Sequence, residues 1–446
     1  MIRQIFPLAL ISSLRFFGLF IVLPVIGLYA DEFHTSAFLA GLAAGGYALT
    51  QIFFQTPFGV WSDKYNRKHI VGIGLIVFLL GSLVCAFADR FGEWSIYVLI
   101  FGRFLQGAGA VGGVVSAQIA DLVREEERNK AMAIMGGGIF ISFVLAMLLS
   151  PIVASHFGLN ALFLITSALC VLSLIILYWK VPNTPSVRYH YTQNDLGALL
   201  KDKNLLMMNL SAFLQKFLMI FAFVCVSLGL THHFKMAEGD LWQVYVPAAL
   251  VGVLAMGPSS VFAQKKGQFK GVMLFGIFAF VVAYFLMAFA HDSLLLFGAG
   301  VLVFFVGFAL QEPLMQSLAS RYPKAHQKGA ALGIFTTLGY AGSALGGMCG
   351  GFLYEQIGLF NLSFIIAAVC VAWAIMLWLF LSNPKHHKNL YIPLGELAHS
   401  EVLKRLDKVD GVIEWYINQT QAVAIVKYDD TRAEGDSILA VLKVGA

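Results

Sequence analysis

Twelve apolar stretches constrain this chain more than any other feature. They fall at about 5–30, 37–61, 69–88, 95–120, 131–155, 160–180, 205–231, 241–263, 270–290, 293–319, 328–354 and 360–382. About 20 consecutive apolar residues are needed to cross about 30 Å of hydrocarbon, and most of these runs meet that length. Lipid offers no partner to an open backbone group, so such spans must be helical. Composition agrees: 12% of the 446 residues are charged, against about 25% in a soluble protein. The net charge of +5 is mild and does not describe a nucleic-acid-binding surface, which concentrates its basic residues. The first run is too long for a signal-peptide core and has no small-residue cleavage site, so it reads as a retained span.

Loop charge sets the expected orientation. The loops after spans 2, 4, 6, 8 and 10 hold sixteen Lys and Arg, and the opposite loops hold two, Arg90 and Lys235. Both termini are therefore expected in the cytoplasm, as an even number of spans also requires. The chain divides into a six-span half (1–180), a central cytoplasmic loop (181–204), a second six-span half (205–382), a linker (383–389) and a small tail domain (390–446). Two sequence matches relate the halves. His156–Phe163 resembles Gln356–Phe364, and Arg128–Ala133 resembles His326–Ala331, at offsets of 200 and 198 residues. Parallel repeats of this kind are a transporter plan with the substrate site near the midplane between them. In the tail, short strands at 390–393, 412–417 and 422–428 alternate with helical spacing at 395–408 and 437–443. That order suggests an α+β ferredoxin-like module. Pro393-Leu394-Gly395-Glu396 stands where a metal-binding module of this shape would carry Cys-x-x-Cys, so thiolate metal transfer is not expected. The five cysteines lie singly inside apolar runs, which argues against disulfides and metal sites.

Four charges lie deep inside predicted spans: Arg15 in span 1, Arg103 in span 4, Lys216 in span 7 and Glu312 in span 10. A charge at such depth costs at least about 2.5–3.5 kcal/mol and is usually paired or lines a watery pathway. Snorkelling to an interface is the simpler alternative for each one. Arg15 and Arg103 keep their protons at any physiological pH. Lys216 and Glu312 are the remaining titratable charges at depth. Glu312 is the expected proton carrier, with Lys216 its partner in one state of the cycle, and the alternative is a static Glu312–Lys216 ion pair that only fixes helix packing.

Three motifs resemble the major facilitator superfamily. Gly59-Val60-Trp61-Ser62-Asp63-Lys64-Tyr65-Asn66-Arg67-Lys68, between spans 2 and 3, is similar to its loop signature Gly-x-x-x-Asp-Arg-x-Gly-Arg-Lys. Lys64 and Asn66 depart from the pattern. Gly59 would let two helices approach closely, Asn66 tolerates a left-handed turn, and Asp63 and Arg67 can pair. Arg103-Phe104-Leu105-Gln106-Gly107-Ala108-Gly109 in span 4 matches Arg-x-x-Gln-Gly-x-Gly, whose Arg the family links to proton coupling. Ala146-Met147-Leu148-Leu149-Ser150-Pro151 in span 5 resembles the antiporter motif Gly-x-x-x-Gly-Pro with both glycines replaced. The resemblance implies that Asp121 joins Asp63 and Arg67 in an inner-surface charge relay, and that spans 1, 4, 7 and 10 line the central cavity. It covers nearly the whole chain and extends to drug:proton antiporters of the YajR type, through Ser13–Val25 and the ferredoxin-like tail.

The expected protein is thus an all-α polytopic membrane protein of major facilitator fold, with twelve helices in two pseudo-repeats and an α+β tail. It is expected in a bacterial inner membrane. Its expected function is proton-coupled efflux of small amphipathic or lipophilic compounds. Transport of a small organic anion is one alternative, since Arg15, Arg103 and Lys216 outnumber Glu312. A transporter-like sensor acting through the tail is another. Expected partners are the lipid bilayer, protons, a small-molecule substrate, and a small ligand or protein for the tail. No cofactor, metal or enzymatic activity is called for. ATP-driven pumping is not expected, because the chain has no Gly-x-x-x-x-Gly-Lys-Ser/Thr loop.

Overall fold

The computed structural model describes residues 2–28, 33–123, 128–182, 201–323 and 327–383, and parts of the tail between 387 and 439. The first half contains α1 (Ile2–Phe20), α2 (Ala37–Lys64), α3 (Arg67–Ala86), α4 (Ser95–Ala108), α5 (Gly112–Leu122), α6 (Arg128–Phe157) and α7 (Leu159–Lys180). The second contains α8 (Lys203–Leu228), α9 (Trp242–Lys266), α10 (Phe269–Ala288), α11 (Leu294–Arg321), α12 (Lys328–Ile357) and α13 (Leu359–Phe380). Most of the central loop, 183–200, lies outside the described residues.

Three spans differ from the sequence expectation. The first ends as an α-helix at Phe20 and continues as a 3-10 turn over Leu23–Leu28, where Pro24 has no N–H to give. The fourth is two helices, α4 and α5, separated at Gly109–Val111. Gly109 has φ −75° and ψ 53°, outside the helical region. The seventh closes α8 with a π turn over Gly229–His233. Among the described residues, eleven spans are long and apolar enough to cross a membrane. The helix missing from that set is α12, 30 residues long, whose eight glycines dilute its hydropathy.

The repeat is visible in the helix bounds. α6 and α12 each have 30 residues, and α7 and α13 each have 22, all at an offset of 200 residues. The turns joining them sit on Gly158 (φ 78°) and Gly358 (φ 79°), a left-handed conformation that glycine adopts without penalty. Lysines repeat the pattern. Lys68 Nζ donates to the Tyr178 and Val181 carbonyls at the end of α7. Lys270 Nζ donates to the Trp378 carbonyl at the end of α13. Each supplies a cation and donors to orphan carbonyls at a helix C-terminus.

Within the first half, α1 packs on α6 and α7, and α3 packs on α4 and α7. Within the second, α8 packs on α12, and α10 packs on α11 and α13. The halves meet through α2 with α12 and through α6 with α9. At α2–α12, only glycine allows the approach. A Cβ on Gly45 would lie 2.8 Å from the carbonyl oxygens of Ser343 and Ala344, and Gly41 meets Gly347 backbone to backbone. The Glu355 carboxylate, on α12, accepts the Ala37 N–H at the start of α2. These contacts lie toward the end that carries Asp89, Glu238 and Asp292, here called the acidic end. Toward the opposite, basic end, a Cβ on Gly136, Gly137 or Gly333 would meet nothing within 4 Å.

In the tail, β1 (His387–Pro393), β2 (Val412–Asn418) and β3 (Val423–Asp429) form an antiparallel sheet in the order β1-β3-β2. β1 begins at His387, so the linker is shorter than 383–389. The expected tail helices, 395–408 and 437–443, fall mostly outside the described residues.

Candidate functional site

The basic end holds the loop motif. Asn66 has φ −63° and its side chain accepts from the Lys68 N–H, so it caps α3. No left-handed turn is needed at that position, which corrects the expectation for it. Gly59 meets nothing within 4 Å, so it supports no close helix approach here. Arg67 Nε lies 2.8 Å from Asp121 Oδ2 at the end of α5, with side chains 4% and 5% exposed. Arg67 Nη1 also donates to Ser62 Oγ. Burial at a helix junction makes this an ion pair that orders α2, α3 and α5 together. The Asp63 side chain lies outside the described residues, so its expected place in the relay rests on the sequence.

Higher in the first half, Arg103 is fully buried. Its Nε donates to the Ala43 carbonyl at 2.9 Å, its Nη2 to Ala44 and its Nη1 to Gln106 Oε1 at 2.6 Å. Gln106 in turn donates to Ser82 Oγ. The motif thus joins α2, α3 and α4. Gly107 abuts the Tyr47 backbone and Gly109 the Gly74 carbonyl, approaches that larger residues would prevent. Arg15, 3% exposed, donates from Nη2 to the Gly109 carbonyl at 3.0 Å, in the break between α4 and α5. Neither arginine snorkels.

Lys216 on α8 and Glu312 on α11 form the other buried-charge element. Nζ lies 2.8 Å from both carboxylate oxygens, and each side chain is 27% exposed. That exposure separates the pair from the two arginines, because water or a ligand can reach it. Pro313 follows Glu312 inside α11. In α6, Ala146 and Ser150 are fully buried and Pro151 lies within the helix. These residues pack the span and do not join the charged groups.

One element was not foreseen. Phe143 of α6 contacts Phe20 of α1 (5.2 Å between centroids), Phe223 of α8 (6.1 Å), and Phe305 and Phe308 of α11 (6.0 and 6.1 Å). These rings bridge the two halves at mid-depth. Phe308 also lies 5.2 Å from Lys216 Nζ. The i, i+3 pairs Phe140/Phe143 and Phe305/Phe308 were the available signal. Gln51 of α2 donates to the Tyr340 hydroxyl of α12 at 2.8 Å, next to Gly339, where a Cβ would lie 3.5 Å from the Lys216 side chain. This bond is a second polar link between the halves, which chain-order reasoning gave no cause to pair.

The Major Facilitator Superfamily model matches residues 8–347 and 248–417. The inner membrane transport protein YajR of Escherichia coli K12 is 34% identical over 440 residues, covering 96% of this chain and 94% of its own. The class B tetracycline resistance protein of Escherichia coli is 25% identical, over 78% of this chain and 87% of its own. Among solved structures, a D-xylose-proton symporter superposes with a TM-score of 0.72 at 14% identity, over 86% of this chain and 99% of its own.

Proposed function

This chain belongs to the Major Facilitator Superfamily, and on that premise we propose that it exports small amphipathic compounds in exchange for protons by alternating access. The chain is a multi-pass membrane transporter and not an enzyme. The observation that carries the finer reading is the Lys216–Glu312 pair, solvent-accessible at mid-depth beside the rings that bridge the halves. A carboxylate can change its charge by taking a proton, whereas Arg15 and Arg103 cannot. Glu312 takes up a proton when Lys216 moves away or when cargo competes for it. Proton release lets the pair re-form. The phenyl faces of Phe143, Phe305 and Phe308 suit an apolar cargo body.

The backbone contacts of α2 with α12 at Gly41 and Gly45 correspond to a form closed at the acidic end. With sixteen loop Lys and Arg at the basic end, that end is assigned to the cytoplasm, together with both termini. This form then faces inward. Arg67 and Asp121, with Asp63, hold the first half's inner ends and re-form as the halves rock. An inner bacterial membrane is assigned by similarity to the inner membrane transport protein YajR, and export from the resemblance of Ala146–Pro151 to the antiporter motif. The β1-β3-β2 order supports the ferredoxin-like tail, which the reading makes a regulatory module for a small ligand or protein.

The test is flux in proteoliposomes. A pH gradient alone should drive uphill movement of an amphipathic probe, and an uncoupler should abolish it. Uphill movement that ignores the uncoupler would refute proton coupling.

A further inference from the structure

The cations inside the bundle differ in what they have for partners. The Arg103 guanidinium contacts two carbonyls and Gln106, and Lys216 has Glu312. For Arg15, Nη2 reaches the Gly109 carbonyl, while Nε and Nη1 are buried with no hydrogen-bond partner among the described residues. The Phe16 and Phe78 rings lie 5.6 and 5.3 Å from its Cζ. They attract the cation without neutralising it. Among the described residues no salt bridge to Arg15 is formed, and the Asp121 carboxylate faces Arg67 at the basic end. A buried charge with unused donors is strongly unfavourable unless an opposite charge arrives, and a guanidinium cannot shed its proton to escape that cost.

The break in the fourth span adds to this. α5 begins at Gly112, its N-cap residue Val111 offers no side-chain cap, and a Cβ on Gly112 would meet nothing within 4 Å. The first N–H groups of a helix have no intrahelical acceptor, and that terminus carries partial positive charge. Discontinuous spans in transporters direct such ends at anionic substrate groups. From Arg15 a run of rings crosses the molecule. Phe16 lies 5.6 Å from Phe20, Phe20 lies 5.2 Å from Phe143, and Phe143 lies 6.1 Å from Phe308.

We infer that Arg15 and the broken turn at Gly109–Val111 form an anion subsite, and that the cargo is an amphipathic organic anion. Its carboxylate, or an anion of similar size, pairs with Nε and Nη1 of Arg15 when the broken turn opens, since in the present conformation the guanidinium is closed off. Its apolar body lies along Phe16, Phe20 and Phe143. The cargo role rests on the export reading above, but the binding does not.

The test uses the purified full chain and three probes of one skeleton: 4-phenylbutyrate, 4-phenylbutanamide and 4-phenylbutylamine. Titration calorimetry should show the carboxylate binding at least about tenfold more tightly than the amide or the amine, as a charge-assisted hydrogen bond implies. Arg15→Gln should remove that preference, and Arg15→Lys should keep part of it, with gel filtration confirming that both remain folded. If the Gln variant does not fold, the folded Arg15→Lys variant decides: a weakened preference supports the subsite, and an undiminished one overturns it. Equal binding of the three probes, binding of none, or an undiminished preference in the folded Gln variant would overturn the inference. Carboxylate preference without pH-driven flux would instead reject proton-coupled export and leave the subsite standing. Uphill flux of the amine without carboxylate preference would do the reverse.

Discussion

Gly45→Ala is a single-methyl probe of the interface that closes the acidic end. A Cβ there lies 2.8 Å from two carbonyl oxygens and 3.0 Å from the Ala344 Cα. Ordinary contact begins near 3.4 Å, so α2 and α12 must separate by several tenths of an ångström. All three atoms are backbone, and no side-chain rotation relieves them. Overpacking of this kind costs about 1–3 kcal/mol. The helix-propensity gain of Ala over Gly, about 1 kcal/mol, is the same in both conformations and cancels. The packing cost falls only on the form closed at the acidic end, so the equilibrium should move toward the opposite form by roughly 5- to 150-fold. Spin labels at Asp89→Cys and Asp292→Cys, exposed on the two halves at that end, would report the change by pulsed electron resonance in a background lacking the native cysteines. A growing long-distance population with reduced flux is expected. An unchanged distance distribution would refute the claim that glycine contact at α2–α12 sets the closure.

Asp121→Asn should lower stability by up to about 3–5 kcal/mol, because Arg67 loses a buried ion-pair partner; the Arg67→Gln/Asp121→Asn double variant should recover part of that in a thermal-unfolding cycle. Arg103→Lys should lower the melting temperature, since one ammonium cannot serve the Ala43 and Ala44 carbonyls and Gln106 together. Deleting residues 387–446 should leave a protein that inserts and transports at basal rate, measured by gel filtration and vesicle flux. Loss of insertion would make the tail a structural part of the bundle.

Much of this architecture is legible because lipid imposes a simple rule: length and apolarity mark a span whatever it touches. The 200-residue offset could be read at His156–Phe163 because turn chemistry at Gly158 and Gly358 keeps the register local; the Arg128–Ala133 match, at 198, fell two residues short of the offset between the helices. Arg15, Arg103, Lys216 and Glu312 stood out because charge is costly at depth. The pairing of Lys216 with Glu312, 96 residues apart, was legible too, because two opposite charges at depth on different spans suit each other. The partners of the arginines were not: Arg103 bonds carbonyls on another helix, which no residue type announces. The break at Gly109–Val111 was hidden because a glycine-containing motif in a span reads equally as close packing, the role that Gly107 fills. Phe143 was hidden among 39 phenylalanines, most of which could as well face lipid. Asn66 was misjudged for a related reason: the same side chain suits a left-handed turn and a helix cap, and the observed φ is the helix cap's.

The central claim is that Glu312 carries the proton. Glu312→Gln keeps the size and the hydrogen-bonding reach of the side chain but cannot ionise. The measurement is the movement of one labelled probe in two modes, counterflow exchange at equal pH and uphill movement driven by a pH gradient alone, for the wild type and Glu312→Gln in proteoliposomes. The account predicts retained exchange and abolished uphill movement in the variant. Uphill movement at the wild-type rate would show that the proton travels by another group and that the Lys216–Glu312 pair only fixes helix packing.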